Sequence, residues 1–387
     1  MNGVAPTSRA RLVAAAAVTA VGFLSWRIGL ANFLFSIGLL AAIVAWRRGE
    51  LRGLPAGRRV LLPVAALIAT ALLSAVFSLD PLASLGKLPR LVTLLLVPLA
   101  ALLIDATWWR RLVFALAVST TVLAVWGFVQ YLQGADNLTH RIQGPLSHYM
   151  TYSGLLLQAV LVLAAEVAVE HRGRAWWLLP PAVLGTVAIL LSLTRNAWVG
   201  LAVGLLLLAA VWRRRLLLVY PVLAVLIWLA APRAVLDRAV SAFDLRQHAN
   251  YDRLCMVVSG VQMLRDHPWV GVGLDMVPRL YPLYRRDDAP RWRVPHLHNN
   301  PLQIAAERGV GGLAAYLWLL AAFFATTWRA LPRLAGDARA PVAAALVAVA
   351  GITAAGLFEY NFGDAEVQYL TLILIGAGAA AADRGAT

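Results

Sequence analysis

Apolar runs of roughly 17–25 residues recur from one end of this chain to the other, the length that crosses about 30 Å of hydrocarbon as helix. Twelve candidate spans are visible, with cores near 12–26, 28–46, 60–78, 91–105, 112–132, 150–169, 176–193, 196–212, 216–231, 309–328, 341–358 and 366–382. The first two are divided only by Arg27, and the seventh and eighth only by Thr194–Asn196. Composition agrees: 61% of the residues are hydrophobic and 14% charged, against about half and a quarter in a soluble domain. The first run is followed at once by a second, so it reads as a retained span and not a cleaved leader. The single cysteine, Cys255, excludes an intrachain disulfide and a cysteine-based metal cluster. The expected fold is an all-α polytopic membrane protein of about 12 transmembrane helices in three parts. Residues 1–231 hold helices one to nine, 232–308 form a loop segment of short helices, and 309–387 hold helices ten to twelve.

The net charge of +15 raises the question of an anionic partner, and its distribution answers it. Arg and Lys accumulate in cytoplasmic loops of membrane proteins. Arg9, Arg11, Arg47, Arg48, Arg52, Arg58, Arg59, Arg110, Arg111, Arg172, Arg174, Arg213, Arg214, Arg215, Arg329, Arg333, Arg339 and Arg384 fall on one side of the twelve-span arrangement. The short loops of the other side hold only Arg27, Lys87, Arg90, Arg141 and Arg195. Both termini are therefore expected in the cytoplasm. The remaining eleven positive charges lie in Pro232–Arg308, which is expected on the periplasmic side. The charge rule does not govern a loop this long, so that excess needs its own explanation. Most of the basic balance is topological, and no nucleic-acid partner is expected.

Within the long segment, Asn250–Arg265 reads as an amphipathic helix with Leu254, Met256, Val257, Val261 and Leu264 apolar, suited to lie on the membrane or roof the bundle. Pro268 stops it. Gly271-Val272-Gly273 then reads as a flexible turn, for which ordinary turn chemistry is sufficient. Further on, Pro301 suits the first position of a helix with Asn300 as its cap, and Gly309 would end that helix before the next span. His298 would then sit just outside a helix N-terminus, whose field favours anions and disfavours imidazolium. A neutral imidazole there could act as general base beside a phosphate. Equally, His298 and Asn299 could simply cap the helix.

His296 and His298 are two apart, but no carboxylate at ligand spacing accompanies them; Asp287 and Asp288 resemble a surface turn. No metal is expected. Arg195 lies between two apolar spans, where charge is unfavourable unless paired or functional. Arg141 lies in the short loop 136–150. Both fall on the side of His298, and a guanidinium fork matches phosphate oxygens at a charge that does not titrate away. Interfacial snorkelling is the competing reading for Arg195. Glu359, Asp364 and Glu366 in the last loop either pair with these arginines, contact a sugar, or cap the flanking spans.

The pattern His298-Asn299, nine intervening residues, then Gly309-x-x-Gly312 is similar to the signature of the O-antigen ligase family. Asp266–Gly273 ahead of it and Glu359–Asp364 behind it resemble the same superfamily, which also includes O-antigen polymerases. By motif the resemblance runs over about 141–367, and by span pattern over the whole chain. It implies a GT-C-like helical enzyme of the bacterial inner membrane that acts at the periplasmic face and uses neither a nucleotide sugar nor a cofactor. Such an enzyme moves O-antigen polysaccharide from undecaprenyl diphosphate to a sugar hydroxyl of lipid A–core oligosaccharide. The resemblance assigns diphosphate binding to Arg195 and Arg141, acceptor activation to His298, orientation to Asn299, and support to Arg265, Gly309, Gly312 and Glu359. A diphosphate leaves readily once its charge is neutralised, so arginines can stand in for a metal, and one displacement would invert the anomeric carbon. An O-antigen polymerase or a protein O-oligosaccharyltransferase would use the same donor. A lipid or ion transporter is the remoter alternative, although transporter sites favour the membrane midplane and the polar residues here gather at one face.

Overall fold

The computed structural model describes residues 8–51, 57–169, 175–212, 217, 218, 225, 228–241, 244 and 247–385. Among them the chain is helical, with no strand beyond a lone backbone bridge between Asp136 and Arg141. The first spans are α1 (Arg9–Leu24), α2 (Ile28–Arg47) and α3 (Leu61–Val76). A broken stretch follows: α4 (Pro81–Leu85), a 3-10 turn over Leu88–Leu95, and α5 (Leu96–Leu103). Then come α6 (Ala106–Leu132), α7 (Tyr149–Val169), α8 (Leu179–Leu191) and α9 (Arg195–Trp212). The long segment contributes α10 (Arg233–Val240), α11 (His248–Asp266) and α12 (Val277–Tyr284). Finally, α13 (Asn300–Ala330), α14 (Arg339–Ala355) and α15 (Ala365–Arg384) complete the bundle.

Among the described residues, nine helical stretches are long and apolar enough to cross a membrane. Of the other expected spans, α1 has 16 residues and Trp176–Leu191 is likewise short, while the ninth, 216–231, falls largely outside the described residues. Arg52, Arg172, Arg174, Arg213, Arg214 and Arg215 also fall outside them. The expected span 91–105 proves to be the second half of the broken stretch 81–103, because Pro81 and Pro89 each open a new turn. Arg110 and Arg111 lie inside α6 and not in a loop, since Asp105 caps that helix early by accepting from the Thr107 and Trp108 N–H groups.

The helices run alternately up and down. At one end, Asp383 accepts from Gly57 N (2.7 Å), Arg384 donates to Ile104 O (2.8 Å) and Arg339 donates to Val211 O (3.3 Å). The other end gathers the turns around 78, 141, 193, 272, 298 and 359. Helices α7, α14 and α15 are the most buried spans. Small residues let them touch: a Cβ on Gly351 would lie 2.3 Å from Leu161 Cδ1 and 2.9 Å from the Gly200 carbonyl, so α9 and α14 meet backbone to backbone.

The long segment has a small core of its own, built from Met256, Met263, Val272, Tyr281, Leu297 and Ala306. The buried line of α11 runs through Asp252, Cys255, Met256, Ser259 and Met263, whereas Leu254 and Val257 of the expected apolar face are exposed. The turn Gly271–Gly273 is also strapped down, contrary to the flexible turn expected. Val272 N donates to Ala306 O (2.9 Å) and Gly273 N to Glu307 O (3.1 Å), and Val310 N returns to Pro268 O (2.8 Å). A Cβ on Gly271, at φ +70°, would strike the Glu307 backbone at 2.3 Å. Gly309 breaks α13 as expected, at φ 64°, with the Trp269 carbonyl 2.4 Å from where a Cβ would stand.

Candidate active site

A cavity of about 460 Å³ opens where the long segment meets the bundle. Its lining includes Arg141, Arg195, Arg238, Arg253 and Arg291, together with His148, His296, His298, Glu359 and Asp364.

Local capping places the histidine. Asn299 is the N-cap of α13, one residue earlier than expected, and its Oδ1 accepts from Leu302 N (2.8 Å). Its Nδ2 donates to Leu357 O (2.8 Å). Asn300, freed from capping by the one-residue shift, donates its N–H to Gly356 O (2.7 Å) and accepts from Phe362 N through Oδ1 (3.0 Å). Two asparagines thus clamp the turn 356–362 onto the start of α13, and that turn carries Glu359. His298 adopts a left-handed backbone (φ 51°), uncommon for a residue other than glycine and held in place by this clamp.

The result is a carboxylate–imidazole pair. Glu359 is 5% exposed, and its Oε2 lies 2.7 Å from His298 Nδ1. In the neutral ring Nδ1 therefore carries the hydrogen and Nε2 keeps its lone pair. Burial alone would push the Glu359 carboxyl up. The His298 hydrogen bond, with the charges of His298 and His296, outweighs it and holds the group below the usual carboxylate range. His296 stands beside the pair, its Nε2 3.4 Å from Glu359 Oε1, and burial draws it down to about 4 against the pull of Glu359. Burial also lowers His148, again opposed by Glu359.

The ligand atoms of His296, His298 and Glu359 lie within 4.8 Å of one another. Folding thus supplies the carboxylate that the sequence spacing lacked, and the three make a candidate metal centre as well. The ring of guanidiniums around them works against a cation and for an anion.

Apart from Arg291, no arginine of the cavity is paired with a carboxylate among the described residues. Arg195 donates Nη1 to Ser241 O (2.9 Å) and Nη2 to Asn250 Oδ1, while Arg141 stacks on Tyr149 at 4.1 Å and donates Nε to Leu138 O (3.2 Å). Arg238 donates to Leu193 O (3.3 Å); burial, then Arg195, Arg141 and Arg253, lower it to about 10. Arg291 pairs with the buried Asp252. Several guanidiniums that repel one another across a small cavity favour a bound polyanion. Asp364 accepts from Thr151 Oγ1 (2.6 Å), and its Oδ1 is buried without a hydrogen bond; burial and Glu366 raise its carboxyl to about 7.

The structure therefore brings together Arg141, Arg195, His298 and Glu359. It does not bring in Arg265, which is exposed at the end of α11 and lines no part of this cavity. Asn299 is likewise off the lining and acts on the backbone. Gly309 and Gly312 are structural: a Cβ on Gly312 would stand 2.3 Å from Arg308 Cβ, so the glycine makes room for that arginine. Sequence reasoning missed Arg238, Arg253, Arg291 and His148. For the three arginines the signal was the unexplained excess of positive charge in 232–308; nothing comparable marked His148.

Residues 180–317 match the family model described as O-antigen ligase, which supports the O-antigen ligase family for this chain. The match runs from α8 through the long segment into α13, and so contains Arg195, Arg238, Arg253, Arg291 and His298 but neither Arg141 nor Glu359. No curated protein matches the sequence.

Proposed function

We propose that the chain is an O-antigen ligase of the bacterial inner membrane, with cytoplasmic termini, a GT-C-like scaffold and a periplasmic active site. It transfers O-antigen polysaccharide from undecaprenyl diphosphate to a sugar hydroxyl of lipid A–core oligosaccharide. The observation that carries this reading is His298, with Nδ1 held by buried Glu359 and Nε2 without a hydrogen bond among the described residues, in one cavity with five arginines.

The acceptor oxygen forms the new bond to the anomeric carbon as the bond from that carbon to the diphosphate oxygen breaks, and the bonding pair leaves with the diphosphate. The hydroxyl proton passes to His298 Nε2, and the imidazolium so formed is stabilised by Glu359. Arg195 and Arg141, joined by Arg238 and Arg253, balance the charge that builds on the leaving diphosphate. One displacement from the face opposite the leaving group inverts the anomeric centre.

The test uses His298→Gln, which keeps size and hydrogen bonding but takes no proton at neutral pH. Transfer to lipid A–core, with a second lipid-linked saccharide as control acceptor, should fall by about 10²–10⁴-fold while the donor still binds. Wild-type rates in this variant would end the general-base role; transfer only to the control acceptor would end the ligase assignment.

A further inference from the structure

Arg291 differs from the other arginines of the cavity in one respect: a carboxylate holds it. Asp252 is 2% exposed on the buried line of α11, and Arg291 sets both Nε and Nη2 on its Oδ2. Asp252 Oδ1 is buried without a hydrogen bond, so among the described residues Arg291 alone answers this charge. A buried carboxylate left without its cation is strongly unfavourable, which fixes the guanidinium against α11. The Arg291 side chain is half-exposed, and its Nη1 makes no hydrogen bond among the described residues.

Neutralisation changes what such a group recognises. A guanidinium without a counter-ion draws an anion, whereas a guanidinium–carboxylate pair presents little net charge and keeps its remaining planar donors. Donors without net charge fit the hydroxyl oxygens of a neutral sugar. Position divides the cavity in the same way. The charges of Arg195, Arg141 and Arg253 converge on Arg238, so these four share one side. Arg291 lies on the stretch that runs through His296 and His298 into α13, and its charge bears on His296. The proton-accepting Nε2 of His298 belongs to that stretch as well.

We propose that Arg291, neutralised and aimed by Asp252, holds the hydroxyls of the acceptor sugar, while the four unpaired arginines hold the leaving diphosphate. Arg291 is thus a specificity-determining residue, and Asp252 is a positioning residue that acts through it. In the transfer reaction proposed above, on which this assignment rests, the acceptor meets the 291–298 stretch and the donor meets Arg141, Arg195, Arg238 and Arg253.

The test is steady-state transfer by the purified full chain in detergent, with donor and acceptor varied independently. Arg291→Gln should raise KM for lipid A–core about 10- to 100-fold, the range for loss of a charge-assisted contact, while KM for the undecaprenyl-linked donor stays within about threefold. A rise in the donor KM instead, an equal rise in both, or no change in either overturns the proposal. Arg291→Gln strands a buried carboxylate; should it fold poorly, the double variant Arg291→Gln/Asp252→Asn removes both charges and should show the same acceptor-specific rise. Asp252→Asn alone should also raise the acceptor KM, because the freed guanidinium loses its aim. Adding it to Arg291→Gln should change that KM by less than about twofold, and effects that multiply would overturn the pairing. Should the wild type transfer only to the lipid-linked control acceptor, the ligase assignment fails, and the same comparison of KM values on that acceptor still decides the role of Arg291.

Discussion

Glu359 acts on the reaction only through His298, which makes Glu359→Gln a sharp test of the pair. The carboxylate is buried and 2.7 Å from Nδ1, so an imidazolium formed during transfer gains its attraction directly. At an effective dielectric constant near 20, two unit charges about 4 Å apart attract by about 4 kcal/mol. Glutamine keeps a neutral hydrogen bond worth about 1 kcal/mol, leaving a loss of about 2–3 kcal/mol in the transition state alone. At 1.36 kcal/mol per decade, kcat should fall ~30- to ~150-fold while KM for the lipid-linked donor stays within about threefold. A radiolabelled-donor transfer assay in detergent measures both, and Glu359→Asp should recover part of kcat because the charge returns at a longer reach. The wild-type carboxyl is held below the usual range, so as pH falls its contribution should persist through that range and be lost only beneath it. If Glu359→Gln raises KM and leaves kcat intact, the residue is a clamp on the turn and the carboxylate–imidazole account is wrong.

Arg195→Lys keeps the charge but loses the planar fork, so kcat/KM for the donor should drop about 10- to 100-fold with normal membrane insertion; equal activity would reduce Arg195 to an anchor for Ser241 and Asn250. Exhaustive chelation should leave transfer intact; loss with EDTA and rescue by one divalent cation would establish His296, His298 and Glu359 as a metal centre. His296 has a folded-state value near 4 against an ordinary value near 6.5, so the unfolded chain binds the extra proton between those limits. Its contribution to stability is present above about pH 6.5 and lost progressively toward pH 4. His296→Gln should therefore flatten the fall in thermal midpoint between pH 7 and pH 4.5, and parallel curves for the two proteins would refute the buried neutral imidazole.

Much of this protein was legible as sequence because membrane insertion is a local property. A run long enough to cross the hydrocarbon is read from its own residues, and most of the apolar runs became spanning helices. The exceptions followed from local signals of another kind: Pro89 just ahead of the run 91–105, and Asp105 capping α6 before Arg110. The helix start at 299–301 and the break at Gly309 were equally local, since caps and left-handed glycines act within a turn; the cap itself was misplaced by one residue.

The site is a different matter. His298 and Glu359 are 61 positions apart, and nothing in either neighbourhood specifies the other. What joins them is the clamp from Asn299 and Asn300 to the 356–362 turn, a consequence of how α13 and α14 pack. The same holds for Arg238, Arg253 and Arg291, which sequence could count as surplus charge but could not aim. Period and length decided which stretches cross the membrane and which face carries the polar residues. Tertiary packing decided which of those residues share a cavity, because helix contacts depend on side-chain fit between elements that are far apart in the chain.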